Sequence, residues 1–114
     1  MKHTGRHTGA FILLFLTEGD SYGRELLRKC EKELPFNPID DAIIYRTLNK
    51  LESEGAVESY LDTSNQNKPI RKYKITKFGE ARLNHFYEDI KEKMENLIFF
   101  IDKYNIWKEE SSHD

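Results

Sequence analysis

The chain has neither a pair of cysteines for an internal disulfide nor an apolar run long enough for a membrane span. Its 114 residues include a single cysteine, Cys30, which cannot form an internal disulfide and indicates a reducing compartment. The longest apolar run, Ala10 to Leu16, is far shorter than the roughly 20 residues of a membrane helix. We therefore expect a cytoplasmic protein without membrane association. Cys30 is expected to be an ordinary helix residue, with a redox-sensing role as the open alternative.

Enzyme motifs are also missing. The patterns GxSxG, HExxH, GxxxxGK and GxGxxG do not occur, so the common nucleophile, zinc and phosphate-loop chemistries have no sequence support. His3 and His7 have the spacing of two ligands on one helical face, but two histidines without a second cysteine are too few for a metal site. The sequence predicts a non-enzyme without metal or cofactor.

Excess positive charge is absent overall but present locally. The formal net charge is -2, and what matters for phosphate binding is where the charge lies. Residues 80 to 114 hold five basic and nine acidic residues, whereas 62 to 77 hold five basic residues and only Asp62 as an acid. This basic strip is compatible with a nucleic-acid partner, although such strips also occur as plain solvated surface.

The first half of the chain predicts three helices within one domain. Gly9 to Thr17 is apolar on nearly every face and has Thr8 as a candidate N-cap. A second helix is expected to open with Ser21 as N-cap and to end at Leu34-Pro35, where proline breaks it. A third is expected from Asp40 to Gly55, with Ile44, Leu48 and Leu51 as its buried stripe.

Two strands and a long helix follow. Ala56 to Leu61 and Ile70 to Thr76 are rich in β-branched and aromatic residues and flank a polar loop, so they predict a hairpin. After Lys77, apolar residues recur at alternating spacings of four and three, which is a heptad seam. The breadth of this apolar seam indicates that a helix from a second copy covers it. The alternative is that the helix folds back onto its own domain. The predicted dimerisation residues are Leu83, Phe86, Tyr87, Ile90, Met94, Leu97, Ile98, Ile101 and Tyr104.

Three helices followed by a hairpin is the order of a winged helix-turn-helix, in which the third helix enters the DNA major groove. The fold class is thus mainly α (α+β), with a long C-terminal dimerisation helix. Four segments, taken in this order, resemble the PadR-type transcriptional regulators: residues 11–19, 21–26, 44–58 and 69–79. The single C-terminal helix is similar to that of the smaller subfamily.

The resemblance implies a homodimeric bacterial repressor that binds a palindromic operator and is released by a small molecule or a stress signal. It places Tyr45 and Arg46 on the recognition helix, which is the predicted third helix. It places Arg71, Lys72 and Tyr73 on the wing, which is the predicted hairpin with its loop. With weaker candidates from the same helix and loop, the predicted DNA-binding residues are Tyr45, Arg46, Asn49, Lys50, Lys68, Arg71, Lys72 and Tyr73. Arg46 is the candidate for base recognition, with a phosphate contact or an ion pair to Asp41 or Glu54 as alternatives.

The remaining expectations concern organisation and regulation. The predicted divisions are a flexible N-terminal arm at 1–8, a winged-helix domain at 9–79, a dimerisation helix at 80–107 and a disordered tail at 108–114. An effector pocket, with ordinary core packing as the alternative, is assigned to Phe11, Phe15, Phe99, Phe100 and Trp107. The competing function is a winged-helix module that binds protein rather than DNA, because the third helix also carries acidic residues.

Overall fold

A computed structural model describes residues 7–65 and 67–112. In these residues the chain divides into two compact units between Asn84 and His85. The elements in order are α1 (Thr8–Leu16), α2 (Gly23–Glu33), α3 (Asp41–Ser53), β1 (Val57–Asp62), β2 (Ile70–Ile75) and α4 (Lys77–Ser112). The predicted winged-helix order of elements is confirmed.

α1 is the central helix of the first unit because most of its surface is apolar. Ile12, Leu13 and Leu16 are almost completely buried, and the helix packs against α2, α3 and β2. The helix begins one residue earlier than expected, so that His7 is its N-cap and Thr8 is its first, buried residue. The prediction of Thr8 as the cap was therefore wrong, although the helix itself is confirmed.

α3 begins and ends for the reasons that the sequence suggested. The Asp40 carboxylate accepts a hydrogen bond from the Ile43 amide at 2.9 Å, which satisfies a free donor of the first turn. At the other end Gly55 has a φ of +82°, a left-handed conformation that glycine adopts without strain. Ile44, Leu48 and Leu51 face the core, which fixes the opposite side of α3 as its outer face.

β1 and β2 form an antiparallel hairpin whose register pairs Val57 with Ile75 and Asp62 with Ile70. Ser21 joins this sheet through two backbone hydrogen bonds with Tyr73, at 3.1 and 2.7 Å. Ser21 therefore does not cap α2 as expected; Tyr22 is the N-cap, while the Ser21 hydroxyl donates to the Glu25 carboxylate. The bridge anchors the hairpin to the segment between α1 and α2.

α4 starts against the hairpin and continues further than the sequence suggested. Thr76 caps it by accepting a hydrogen bond from the Gly79 amide at 3.0 Å. Gly79 lies so close to the Ala56 carbonyl oxygen that an added Cβ would be 2.1 Å from it. Residues 108–112 are helical, so they are not the disordered tail that we expected; residues 1–6 of the expected arm lie outside the described residues.

Candidate nucleic-acid interface

The outer face of α3 is the first component of the site. Tyr45, Arg46, Asn49 and Lys50 are all exposed, on the side opposite the buried Ile44 and its neighbours. This separation follows from the helical period, which places residues three and four apart on the same side. The structure thus presents the four recognition-helix candidates together on one surface.

Arg46 is available on that surface. Its two predicted acidic partners are engaged elsewhere: Asp41 lies 3.8 Å from Arg24, and Glu54 pairs with Arg82 at 2.7 Å. Within residues 7–65 and 67–112, no ion pair involves Arg46. The ion-pair alternative for Arg46 is therefore not formed, and its guanidinium is left for an external partner.

The Tyr45 ring packs against the backbone of Gly23 in α2. A Cβ added to Gly23 would lie 2.5 Å from Cε1 of Tyr45, so the ring rests directly on the α2 backbone. The residue nevertheless keeps 43% of its surface exposed. Packing and an external contact are thus compatible in this side chain, which has an apolar ring and a polar hydroxyl.

The basic residues of the wing differ in whether they already have an anionic partner. The Lys72 Nζ lies 2.9 Å from the Asp62 carboxylate, a hydrogen bond and charge that raise the pKa of Lys72. The pKa of Asp62 is lowered, first by the Ser64 backbone amide and then by Lys72. Lys72 was predicted to bind DNA, but it already has an anionic partner in Asp62. Lys68 is exposed at the end of the loop.

Arg71 and Tyr73 lie two apart on β2 and therefore on the same face of the hairpin, Arg71 exposed and Tyr73 buried. Arg71 donates to the Ser59 hydroxyl at 2.9 Å, and that hydroxyl donates to the Glu52 carboxylate at 2.5 Å. These bonds connect β2, β1 and the last turn of α3. Tyr73 is only 5% exposed, so the structure places it in the core and not, as predicted, on the surface; its burial raises the pKa of its hydroxyl.

A groove of about 620 Å³ lies between α2, α3 and the wing. Among the residues that the structure describes, four cationic side chains line it and no carboxylate does. Its lining residues are Tyr22, Gly23, Arg24, Arg28, Tyr45, Lys68, Pro69, Ile70, Arg71 and Tyr73. Sequence reasoning missed Arg24 and Arg28, because only the packing of α2 beside the wing shows that they belong to the site. We refer to this feature as the basic groove.

The predicted dimerisation residues divide by exposure. Leu83, Phe86 and Ile90 are half-buried, whereas the others on α4 are exposed: Tyr87, Met94, Leu97, Ile98, Ile101 and Tyr104. In the second unit, none of the described residues is buried. This part of α4 is therefore a helix that exposes many large apolar side chains.

The five effector-pocket candidates differ in burial and belong to different units of the chain. Phe15 is 4% exposed and belongs to the core of the first unit, with Lys29 Nζ 5.8 Å from its ring centroid, as the packing alternative requires. Phe11 is half-buried. Phe99, Phe100 and Trp107 are exposed on the second half of α4. There the Tyr104 ring stacks with Phe100 and is tilted by 58° relative to Trp107.

In the part of the chain that the structure describes, no group of three or more His, Cys, Asp or Glu side chains could hold a metal ion. In the same residues, no helix combines the length and the hydropathy that a membrane span needs.

Comparison with known families agrees with the order of elements. Residues 12–85 match the profile of the transcriptional regulator PadR-like family. The chain belongs to the PadR-like family. The match covers the second half of α1, all of α2, α3 and the hairpin, and the first turns of α4. This PadR-like protein is thus a member of a family of transcription regulators, not of enzymes. A comparison with curated proteins gives no match.

Solved structures have the same fold. Protein smu.1704 from Streptococcus mutans is 20% identical with a TM-score of 0.76, over 90% of this chain and 92% of that one. A PadR family regulator from Clostridium difficile R20291 is 21% identical with a TM-score of 0.68, over 81% and 98%. A PadR-like regulator from Bacillus cereus is 24% identical with a TM-score of 0.68, over 86% and 97%. At these identities the similarity establishes the fold.

Proposed function

We propose that this PadR-like protein is a homodimeric, sequence-specific DNA-binding repressor of the cytoplasm. The observation that carries the proposal is the basic groove beside the exposed outer face of α3. Its described lining holds four cations and no carboxylate. Phosphate contacts give a DNA-binding protein its affinity and register, and side chains at base edges give it specificity. In this proposal the groove contacts phosphates and the outer face of α3 contacts base edges.

In this proposal α3 enters the major groove. Arg46 is suited to a bidentate contact with guanine, which is worth about 1–3 kcal/mol of discrimination. Tyr45, Asn49 and Lys50 contact phosphates or neighbouring bases, while Lys68 and Arg71 contact the flanking backbone. Arg46 carries most of the sequence preference among these residues.

The second copy is expected to bind along α4. The exposed apolar residues of the second unit include Leu97, Ile98 and Ile101, which are 63%, 45% and 54% exposed. A helix of this kind is stable in water when another apolar surface covers it. Dimers with two-fold symmetry place their recognition helices about 34–36 Å apart in successive major grooves, on a palindromic operator.

Repression relieved by a small molecule or a stress signal completes the proposal. The uncovered aromatic residues Phe99, Phe100 and Trp107 would line the effector site where the two copies meet, because apolar and aromatic pockets suit such ligands. An effector that favours another arrangement of the two α4 helices would reduce the population that fits the operator.

The test is a titration of the purified protein against the DNA upstream of its own coding region, at several salt concentrations. We expect specific binding that weakens steeply with salt, because bound cations displace counterions from phosphates. Arg46→Ala is expected to weaken specific binding and relax sequence preference. Lys72→Ala, which removes a cation already paired with Asp62, is the matched control and is expected to have a smaller effect.

Absent or salt-insensitive binding on every duplex tried would contradict the proposal. That result would favour the alternative of a winged-helix module that binds protein, since a protein interface need not depend steeply on salt.

A further inference from the structure

We propose that Asp20 and Tyr60 are positioning residues for DNA binding, because their side chains join the turn between α1 and α2 to the wing and hold the wing in one orientation beside α3. The inference rests on the proposed function and deepens it by naming the contact that keeps the wing ready to bind next to the recognition helix. We refer to this contact, together with the backbone bridge between Ser21 and Tyr73, as the wing clamp.

The wing clamp attaches one turn of the chain to both strands of the hairpin. The Tyr60 hydroxyl on β1 donates a hydrogen bond to the Asp20 carboxylate at 2.7 Å. Next to Asp20, the backbone of Ser21 exchanges two hydrogen bonds with Tyr73 on β2, at 3.1 and 2.7 Å. A single point of attachment would leave the hairpin free to rotate about it, whereas attachments on two strands oppose that rotation. The clamp therefore restricts the angle of the wing as well as its place.

The wing needs such a contact because the half nearer its loop lies outside the core. Val57 at its base is buried, whereas Leu61 is 57% exposed, and a two-stranded hairpin is only marginally stable in water by itself. Successive side chains of a strand point to opposite faces. On one face of β1 the Ser59 hydroxyl donates to Glu52 of α3 at 2.5 Å, and on the other face Tyr60 donates to the turn. Polar contacts thus hold the wing from both faces.

The hydrogen bond between Tyr60 and Asp20 can govern binding without governing stability. Its acceptor is a carboxylate, so the bond is charge-assisted, and it raises the pKa of the Tyr60 hydroxyl, which therefore stays protonated as a donor. Both residues are exposed, and water replaces the bond when it opens, so its net contribution to folding is small. A released wing must be ordered again each time DNA is bound, and that cost lowers the affinity.

Asp20→Ala and Tyr60→Phe test the proposal, because each removes the hydrogen bond and Tyr60→Phe keeps the ring. The probes are two duplexes cut from the upstream DNA that the wild type binds. One ends at the outer edges of the two half-sites, and the other continues for about one helical turn, or about 10 base pairs, on each side. The wild type should bind the long duplex more tightly, because the wing contacts the flanking backbone. Each variant should lose about three- to tenfold of that affinity per copy, or about 10- to 100-fold in a dimer, and should bind the trimmed duplex like the wild type.

Asp20→Asn and Glu18→Ala are the matched controls. Asp20→Asn removes the charge but keeps an acceptor oxygen, so it should keep the preference for the long duplex. Glu18→Ala removes a carboxylate of the same turn that pairs with Lys29 and not with the wing, so it should keep the preference as well. Loss of a negative charge alone would strengthen binding to phosphates, so weaker binding by Asp20→Ala cannot be an effect of charge.

A wild-type preference for the long duplex in both Asp20→Ala and Tyr60→Phe would overturn the wing clamp while leaving the proposed function intact. Equal losses on the two duplexes with a lower thermal midpoint would also overturn it, because the hydrogen bond would then only stabilise the fold. A wild-type protein that gains nothing from the flanking base pairs would overturn it too. Failure of the wild-type protein to bind any duplex would overturn both the clamp and the proposed function.

Discussion

The two units of the chain differ in what stabilises them. All of the buried apolar residues in the described chain lie in the first unit, including Ile12, Leu26, Ile44 and Leu48. The second unit is a single helical segment in which every described residue is at least partly exposed. The first unit can be stabilised by its own core, whereas the second has apolar side chains and no core. The difference indicates a domain that folds by itself and a helix that is completed by another surface.

The charges separate in the same way. Acids outnumber bases eight to four in residues 85–114. In the groove between α2, α3 and the wing, by contrast, every charged lining residue among the described ones is a cation. An acidic segment is repelled by phosphate and a basic groove attracts it. One unit is thus suited to DNA, and the other to association through its apolar residues.

The sharpest test of this comparison is the double variant Leu97→Glu with Ile101→Glu. Charges in a covered apolar seam should prevent association, so we expect a monomer in sedimentation analysis and an unchanged thermal transition of the first unit. Operator affinity should fall by about 100- to 10,000-fold, because binding of the second half-site is no longer intramolecular.

The matched control is Glu95→Gln with Asp102→Asn, which changes two charged positions of α4 outside the predicted seam and should leave a dimer. If the Leu97 and Ile101 double variant bound its operator as well as the wild type, α4 would not be the dimerisation element that we propose.

The second prediction concerns the first unit alone. Gly79→Ala would place a Cβ 2.1 Å from the backbone oxygen of Ala56, an oxygen that also accepts from the Thr76 amide at 3.1 Å. Backbone cannot move away as a side chain can, so the start of α4 must separate from the hairpin. We expect a loss of about 3 kcal/mol in the free energy of unfolding, measured by denaturant titration. A wild-type midpoint would show that this close packing does not matter.

Much of the first unit could be predicted from the sequence because its signals are local. Asp40 at the start of α3 and Gly55 after its end are capping residues that act within a few positions. The stripe of Ile44, Leu48 and Leu51 needs only the helical period. The order of these elements then indicated the winged helix, and the resemblance of four sequence segments indicated the family.

The details that could not be predicted depend on contacts between distant segments. Ser21 has the sequence of a helix cap, yet it pairs with Tyr73, 52 positions along the chain. Lys72 and Asp62 are brought together by the hairpin register, and Arg28 reaches the groove only through the packing of α2. Sequence patterns identify the side chains that can bind DNA, whereas the tertiary structure decides which of them are free.

The third prediction concerns Gly23, which packs against a side chain and not against backbone. Gly23→Ala would place a Cβ 2.5 Å from the Tyr45 ring, which can rotate away, unlike the Ala56 backbone next to Gly79. We expect a cost of about 1 kcal/mol in stability but a several-fold loss of DNA affinity, because Tyr45 lies in the proposed interface. Tyr45→Phe, which keeps the ring and removes the hydroxyl, is the control. If Gly23→Ala bound DNA like the wild type, the orientation of Tyr45 would be irrelevant to binding.

The smallest expected effect concerns the buried thiol. Cys30 is fully buried, and burial followed by the charge of Glu31 raises the pKa of its thiol. The protonated form is thus favoured in the folded state, so this contribution to stability is fully present below the ordinary thiol pKa of about 8.5. It is lost as the pH rises from there through the raised value, because the unfolded chain ionises first. Comparing unfolding free energies of the wild type and Cys30→Ala across that range should show a steeper decline in the wild type.

Thiol alkylation of the folded protein near neutral pH should be slow, since the thiolate is the reactive form. Fast alkylation without unfolding would instead indicate that Cys30 is accessible to oxidants and would support the redox-sensing alternative.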